Sequence, residues 1–89
     1  MYLARIDGTL TAAAKHETLN GVRFLIGQRL EADGNASGEP IVVIDRLGAR
    51  RGSTVIVSTD GDIARNWLGN TTPARLVVIG IVDQVNGML

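Results

Sequence analysis

Along much of this 89-residue chain, apolar and polar residues alternate with the period of two that marks a β-strand with one wet face. From Tyr2 to Ala13, Tyr2, Ala4, Ile6, Leu10 and Ala12 share one parity, while Arg5, Asp7, Thr9 and Thr11 share the other. Gly8 interrupts the run where a bulge costs little. Val22 to Leu30 repeats the scheme, with Val22, Phe24, Ile26 and Leu30 opposed to Arg23, Gly27 and Arg29. Two strands are predicted here, with Tyr2 and Phe24 at core positions and a polar connector over Lys15–Gly21 between them. Glu31 to Pro40 reads as loop, because it holds Asp33-Gly34-Asn35 and Ser37-Gly38-Glu39-Pro40.

The remaining runs differ in kind. Ile41 to Leu47 predicts a third strand whose Ile41, Val42, Val43 and Ile44 are apolar on both parities. Gly48 to Gly52 is a tight turn and Thr54 to Val57 a short fourth strand. Thr59 or Asp60 can cap a short helix carrying Ile63, Ala64, Trp67 and Leu68, which Gly69 to Pro73 ends. Leu76 to Val85 predicts a fifth strand, again apolar on both faces until Asp83. With no linker and no internal repeat, residues 1–89 form one all-β domain. The expected fold is a small five-stranded antiparallel barrel, partly open and similar to the oligonucleotide/oligosaccharide-binding (OB) barrel, with one short helix between strands four and five.

A small barrel has one interior, filled by one parity of each strand. The second apolar face of the third and fifth strands, represented by Ile41, Val43, Ile79 and Ile81, therefore needs an outside cover. Each such side chain forfeits about 1.5–3 kcal/mol if left in water. A core of this size supplies only about 3–5 kcal/mol. Self-association is the expected remedy.

Composition narrows the function classes. Nine basic and nine acidic residues cancel, which excludes the strongly basic field of a general nucleic-acid binder. The chain lacks cysteine and has one histidine, so neither a disulfide framework nor a structural zinc site is available. No metal or cofactor is expected. The longest apolar stretch, Leu76 to Val82, is far short of the ~20 residues that cross a bilayer. Arg5, Asp7, Lys15 and His16 break the N-terminal region where a signal peptide would be apolar, so no membrane partner and a cytoplasmic location are expected.

Candidate chemistry is sparse. His16 lies in a polar connector beside Glu17, where a solvated loop histidine is the simpler reading than a general base. Asp60-Gly61-Asp62 lacks the spaced oxygens of a calcium loop and reads as a turn into a helix cap. Gly48-Ala49-Arg50-Arg51-Gly52 precedes a strand, not the helix that a phosphate loop needs. A nucleic-acid- or ligand-binding barrel is the alternative reading, but Arg50-Arg51 is its only basic cluster and stacking platforms are few.

Taken together, these segments resemble the EutN/CcmL family of bacterial microcompartment shell proteins, over nearly the whole chain. The likeness rests on Gly8-Thr9, then Lys15, Leu19 and Gly21 before Phe24-Leu25-Ile26. It continues through Val43-Ile44-Asp45, Leu47-Gly48-Ala49 and Gly52, then Val55-Ile56-Val57 with Ala64-Arg65. Gly80-Ile81-Val82-Asp83 with Val85 completes it. Three places depart from the family pattern: Ala4 and Arg50 stand where glycine is usual, and Thr59 to Ile63 replaces a small serine-rich turn.

The resemblance implies a non-enzymatic homopentamer at the vertices of a polyhedral shell whose facets are hexameric or pseudohexameric tiles. Its task is geometric, since five-fold defects close a surface that hexagons alone leave flat. It also implies candidate interface residues: Asp45, Arg65, Ile79, Ile81 and Asp83. If the turn Gly48, Ala49, Arg50, Arg51, Gly52 faces the five-fold axis, Arg50 or Arg51 would form a cationic ring there.

Overall fold

Branched and aromatic runs bounded by turn-formers become five strands: β1 (Tyr2–Leu10), β2 (Arg23–Leu30), β3 (Ala36–Asp45), β4 (Thr54–Ser58) and β5 (Val77–Val82). A 3-10 turn, Glu17–Leu19, lies between β1 and β2, and the helix α1 (Gly61–Leu68) between β4 and β5. The computed structural model describes residues 1–11 and 15–82. The predicted end of the fifth strand at Val85 lies outside them.

The strands form a closed barrel in the order β1-β2-β3-β5-β4. A ring with an odd number of strands cannot alternate direction all the way round, so one neighbouring pair must be parallel. That pair is β3 with β5, joined in register only at Ile44 opposite Val77. The barrel is thus closed where partial opening was expected, and mixed at one seam where all-antiparallel pairing was expected. Because β3 ends at Asp45, β5 runs on past it to Val82.

Two clusters hold the fold. The interior packs Ala4, Ile6, Leu25, Val43, Ala49, Val55, Val57 and Val78. A smaller group outside the barrel wall, beneath α1, packs Ile44, Ala64 and Val77 against Val22, Phe24, Trp67, Leu68 and Ala74. This second cluster reverses the parity expected for β2. Leu25 and Gly27 face the interior, while Phe24 serves the outer cluster. A Cβ on Gly27 would lie 3.2 Å from the Arg5 carbonyl oxygen, so the barrel wall closes tightly there.

The bulge expected at Gly8 is present between Ile6 and Gly8, and Leu10 beyond it is exposed. The Glu31–Pro40 loop is corrected to a tight turn. Glu31 N–H donates to the Asn35 carbonyl at 2.8 Å, and Ala36–Pro40 already belong to β3. Among the described residues only β2 flanks this part of β3. Such an edge segment stays wet, tolerates Pro40, and so carries a polar sequence that reads as loop.

Candidate functional site

The outer wall around the β3–β5 seam is organised by the turn that follows β3. Asp45 ends the strand with its side chain fully buried. Its carboxylate accepts the backbone N–H groups of Leu47 (2.9 Å), Gly48 (3.1 Å) and Ala49 (2.9 Å), and Arg23 Nη1 at 2.8 Å. Arg23 Nη1 also donates to the Ala49 carbonyl. Gly48 takes φ +89°, a conformation that side chains with a Cβ resist. The consequence is directional: Ala49 is turned into the core, and Leu47 is turned out to solvent.

The next turn is fixed to β1. Gly52 N–H donates to the Ile6 carbonyl at 2.7 Å, and Ile6 N–H to the Ser53 carbonyl at 2.8 Å. Arg50 N–H donates to Ser53 Oγ at 3.0 Å, which leaves the Arg50 and Arg51 side chains exposed. Nearby, Arg5 grips Asp7 at 2.7 Å. The hydrogen bond from Arg5 holds the Asp7 carboxyl below its ordinary range, with the charges of Arg5 and Arg51 adding to the effect.

Across the seam, Asp60 caps α1 by accepting the Asp62 N–H at 2.9 Å. Ile63 and Trp67, four residues apart, share one helix face. The Arg46 guanidinium lies 4.8 Å from the centre of the Trp67 ring. Arg46, Leu47, α1 and Val77–Ile79 together enclose a groove of about 340 Å³, lined by Ile63, Asn66 and Trp67 on the helix side. A second groove, of about 220 Å³, lies along the outer wall of β3 between Val42 and the Pro73–Leu76 segment.

The expected interface residues fall into different roles. Ile79 and Ile81 are exposed, as the two-faced fifth strand predicted. Arg65 pairs with Asp62 one helical turn earlier, Asp45 is taken up by its own turn, and Asp83 lies outside the described residues. Val43 is fully buried and Ile41 half-buried against the core, so the wet face of β3 belongs to Val42. Sequence reasoning did not single out Val42, Leu47 or Ile63 as surface residues. The four-residue spacing of Ile63 and Trp67 was a signal for one shared face; for Val42 against Val43 there was none, since both parities are apolar.

The wall offers little for catalysis. Among the described residues no three histidine, aspartate or glutamate side chains cluster as a metal site. His16 is used locally, with Nδ1 2.9 Å from Thr18 Oγ1, which in turn donates to Thr72 Oγ1 at 3.0 Å. The aromatic rings are also engaged by cations. Arg29 lies 4.7 Å from the Tyr2 ring centre and Lys15 Nζ 6.0 Å from that of Phe24.

The sequence pattern described as ethanolamine utilisation protein EutN/carboxysome matches residues 1–83. The chain belongs to the EutN/CcmL family. It is similar to the carboxysome shell vertex protein CcmL of Thermosynechococcus vestitus, with 38% identity over 97% of this chain and 87% of the relative. It is equally similar to the bacterial microcompartment shell vertex protein GrpN of Rhodospirillum rubrum, at 38% identity over 96% of both chains. The solved structure of GrpN, described as a pentameric microcompartment shell protein, superposes with a TM-score of 0.81 at 34% identity. It covers 96% of this chain and 95% of its own.

Proposed function

We propose that this chain is a structural vertex protein of a bacterial microcompartment shell, in which five copies close into a ring that caps a vertex and no reaction is catalysed. The observation that carries the reading is the row of aliphatic side chains left in water on the outer wall of a closed barrel: Val42, Leu47, Ile63, Ile79 and Ile81. Each is between a third and a half exposed, so covering one gains about 1 kcal/mol, half or less of full burial. Five together match the ~3–5 kcal/mol that a core of this size yields alone. Full-length similarity to vertex proteins, one of them pentameric, supplies the ring.

The alternative of a nucleic-acid-binding barrel is disfavoured by the three aromatic rings, whose faces already meet Arg29, Arg46 and Lys15. Light scattering on the purified chain tests the proposal, since a ring has five times the 9.4 kDa of one chain. A single-chain mass at high concentration refutes it. Co-expression with a hexameric shell tile, followed by electron microscopy, tests the vertex role; shells that close equally well without this chain count against it.

The Gly48–Gly52 turn is assigned to the five-fold axis, where exposed Arg50 and Arg51 would repeat as a cationic ring. Sulfate binding to the ring, abolished by Arg50→Ala with Arg51→Ala, is the expected result. Unaltered binding in that double variant removes the assignment.

A further inference from the structure

We infer that His16 is a proton-sensitive clasp: at neutral pH it fastens the connector between β1 and β2 onto the connector between α1 and β5, and in acid it lets go. His16 Nδ1 accepts the Thr18 N–H at 3.2 Å and so caps the 3-10 turn Glu17–Leu19. An amide N–H can only donate, so this bond needs a bare Nδ1 and a proton on Nε2. The Thr18 hydroxyl lies 2.9 Å from the same nitrogen and donates to Thr72 Oγ1 at 3.0 Å, across 54 residues of sequence. Thr72 Oγ1 also accepts the Ala74 N–H at 3.3 Å. His16 is exposed, whereas Thr72 is only 4% exposed. One end of this run of bonds is open to water, and the other lies within the connector that leads into β5. The same two connectors also meet through apolar groups, since Leu19 and Pro73–Leu76 line one groove.

Protonation acts on the first bond. An imidazolium donates from both nitrogens, so its Nδ1–H would face the Thr18 N–H instead of receiving it. The ring must then turn to water, and the Thr18 amide loses its cap. Only the Leu19 N–H to the His16 carbonyl (2.9 Å) and the Asn20 N–H to the Glu17 carbonyl (3.2 Å) still hold the turn together. The Thr18 hydroxyl is no longer pinned against Thr72. Histidine is the side chain whose ordinary charge change falls between about pH 5 and 8, and this chain has one. The charged groups around it are engaged elsewhere or solvated. Lys15 lies over the Phe24 ring on β2, Arg23 on β2 is bound to Asp45, and Glu17 is exposed. On the facing connector, Arg75 donates to the carbonyls of Thr72 and Ala74.

Hydrogen–deuterium exchange of the intact chain, read by mass spectrometry over residues 15–22 and 69–76, tests the clasp. Rates between about pH 5 and 8 are divided by those of the unstructured sequence at the same pH. Protection of both segments should fall about fivefold toward the acid end, the factor that a lost N-cap represents. His16→Asn keeps a capping acceptor without a titrating group, so its protection should not depend on pH. Thr18→Val cuts the bridge beyond the imidazole; the response should persist in 15–22 and vanish from 69–76. Thr72→Val cuts the same bridge and stands in if circular dichroism shows that Thr18→Val has lost its sheet. Wild-type protection that ignores pH, or a pH response that survives in His16→Asn, overturns the clasp. A wild-type response confined to 15–22, or one that persists in 69–76 without the bridge, overturns the link through Thr72.

Discussion

Replacing Asp45 by alanine probes the turn from which the outer wall is built. The carboxylate is wholly buried and accepts three backbone N–H groups and one arginine, so its removal leaves the Leu47, Gly48 and Ala49 amides without their partner, while Arg23 keeps the Ala49 carbonyl. Taking a charged acceptor away from three backbone N–H groups at a buried turn costs about 3–5 kcal/mol in all. Arg23 is partly exposed and can turn to water, which places Asp45→Ala near the lower end, at about 3 kcal/mol. Arg23→Ala should cost only about 1 kcal/mol, because Asp45 keeps its three backbone donors. Urea unfolding followed by the fluorescence of Trp67, the chain's one tryptophan, measures both variants. The subunit concentration must be held constant, since the apparent stability of a ring depends on it. A loss below about 1 kcal/mol for Asp45→Ala, or equal losses for the two variants, would refute the view that the backbone cradle dominates over the arginine.

Other outcomes follow from single residues. Leu25→Ala should cost about 3 kcal/mol and Ile26→Ala clearly less, because the interior parity of β2 belongs to Leu25; the reverse order in urea titrations would restore the parity read from the sequence. Asp60→Ala removes the helix cap and should cost about 1 kcal/mol, read as a lower unfolding midpoint that Asp60→Asn largely restores. The lowered pKa of Asp7 means that its pairing with Arg5 stabilises the fold above the ordinary carboxylate pKa, and that this contribution is lost as the pH falls through the depressed value. Because the pair is exposed, water and salt screen it and its contribution is small. The stability gap between wild type and Asp7→Asn should therefore be small at neutral pH and vanish in acid; a gap that widens in acid would contradict the assigned sign.

The chain's own pattern settles much of this protein. Val- and Ile-rich runs with period two dictate the strands, Gly8 marks the bulge, and Asp60 followed by Ile63, Ala64, Trp67 and Leu68 dictates the capped helix. These are local preferences, written in side-chain shape and backbone freedom. The surplus of apolar surface on Ile79 and Ile81 was legible for the same reason: one barrel has one interior. Three features depend on the closed fold. Leu25 instead of Phe24 faces inward because α1 folds back and builds a second cluster outside the wall, giving both parities of β2 an apolar home. Val42 instead of Val43 stays wet because the register with β2 decides which side of β3 looks in, and four consecutive aliphatics leave that choice undetermined. Asp45 reads in the sequence as a strand-end charge open to a neighbour; only when the chain brings Arg23 and three backbone amides around it does it become the buried anchor of its own turn. Periodicity fixes what each segment is, whereas long-range closure fixes which of two equivalent faces meets water.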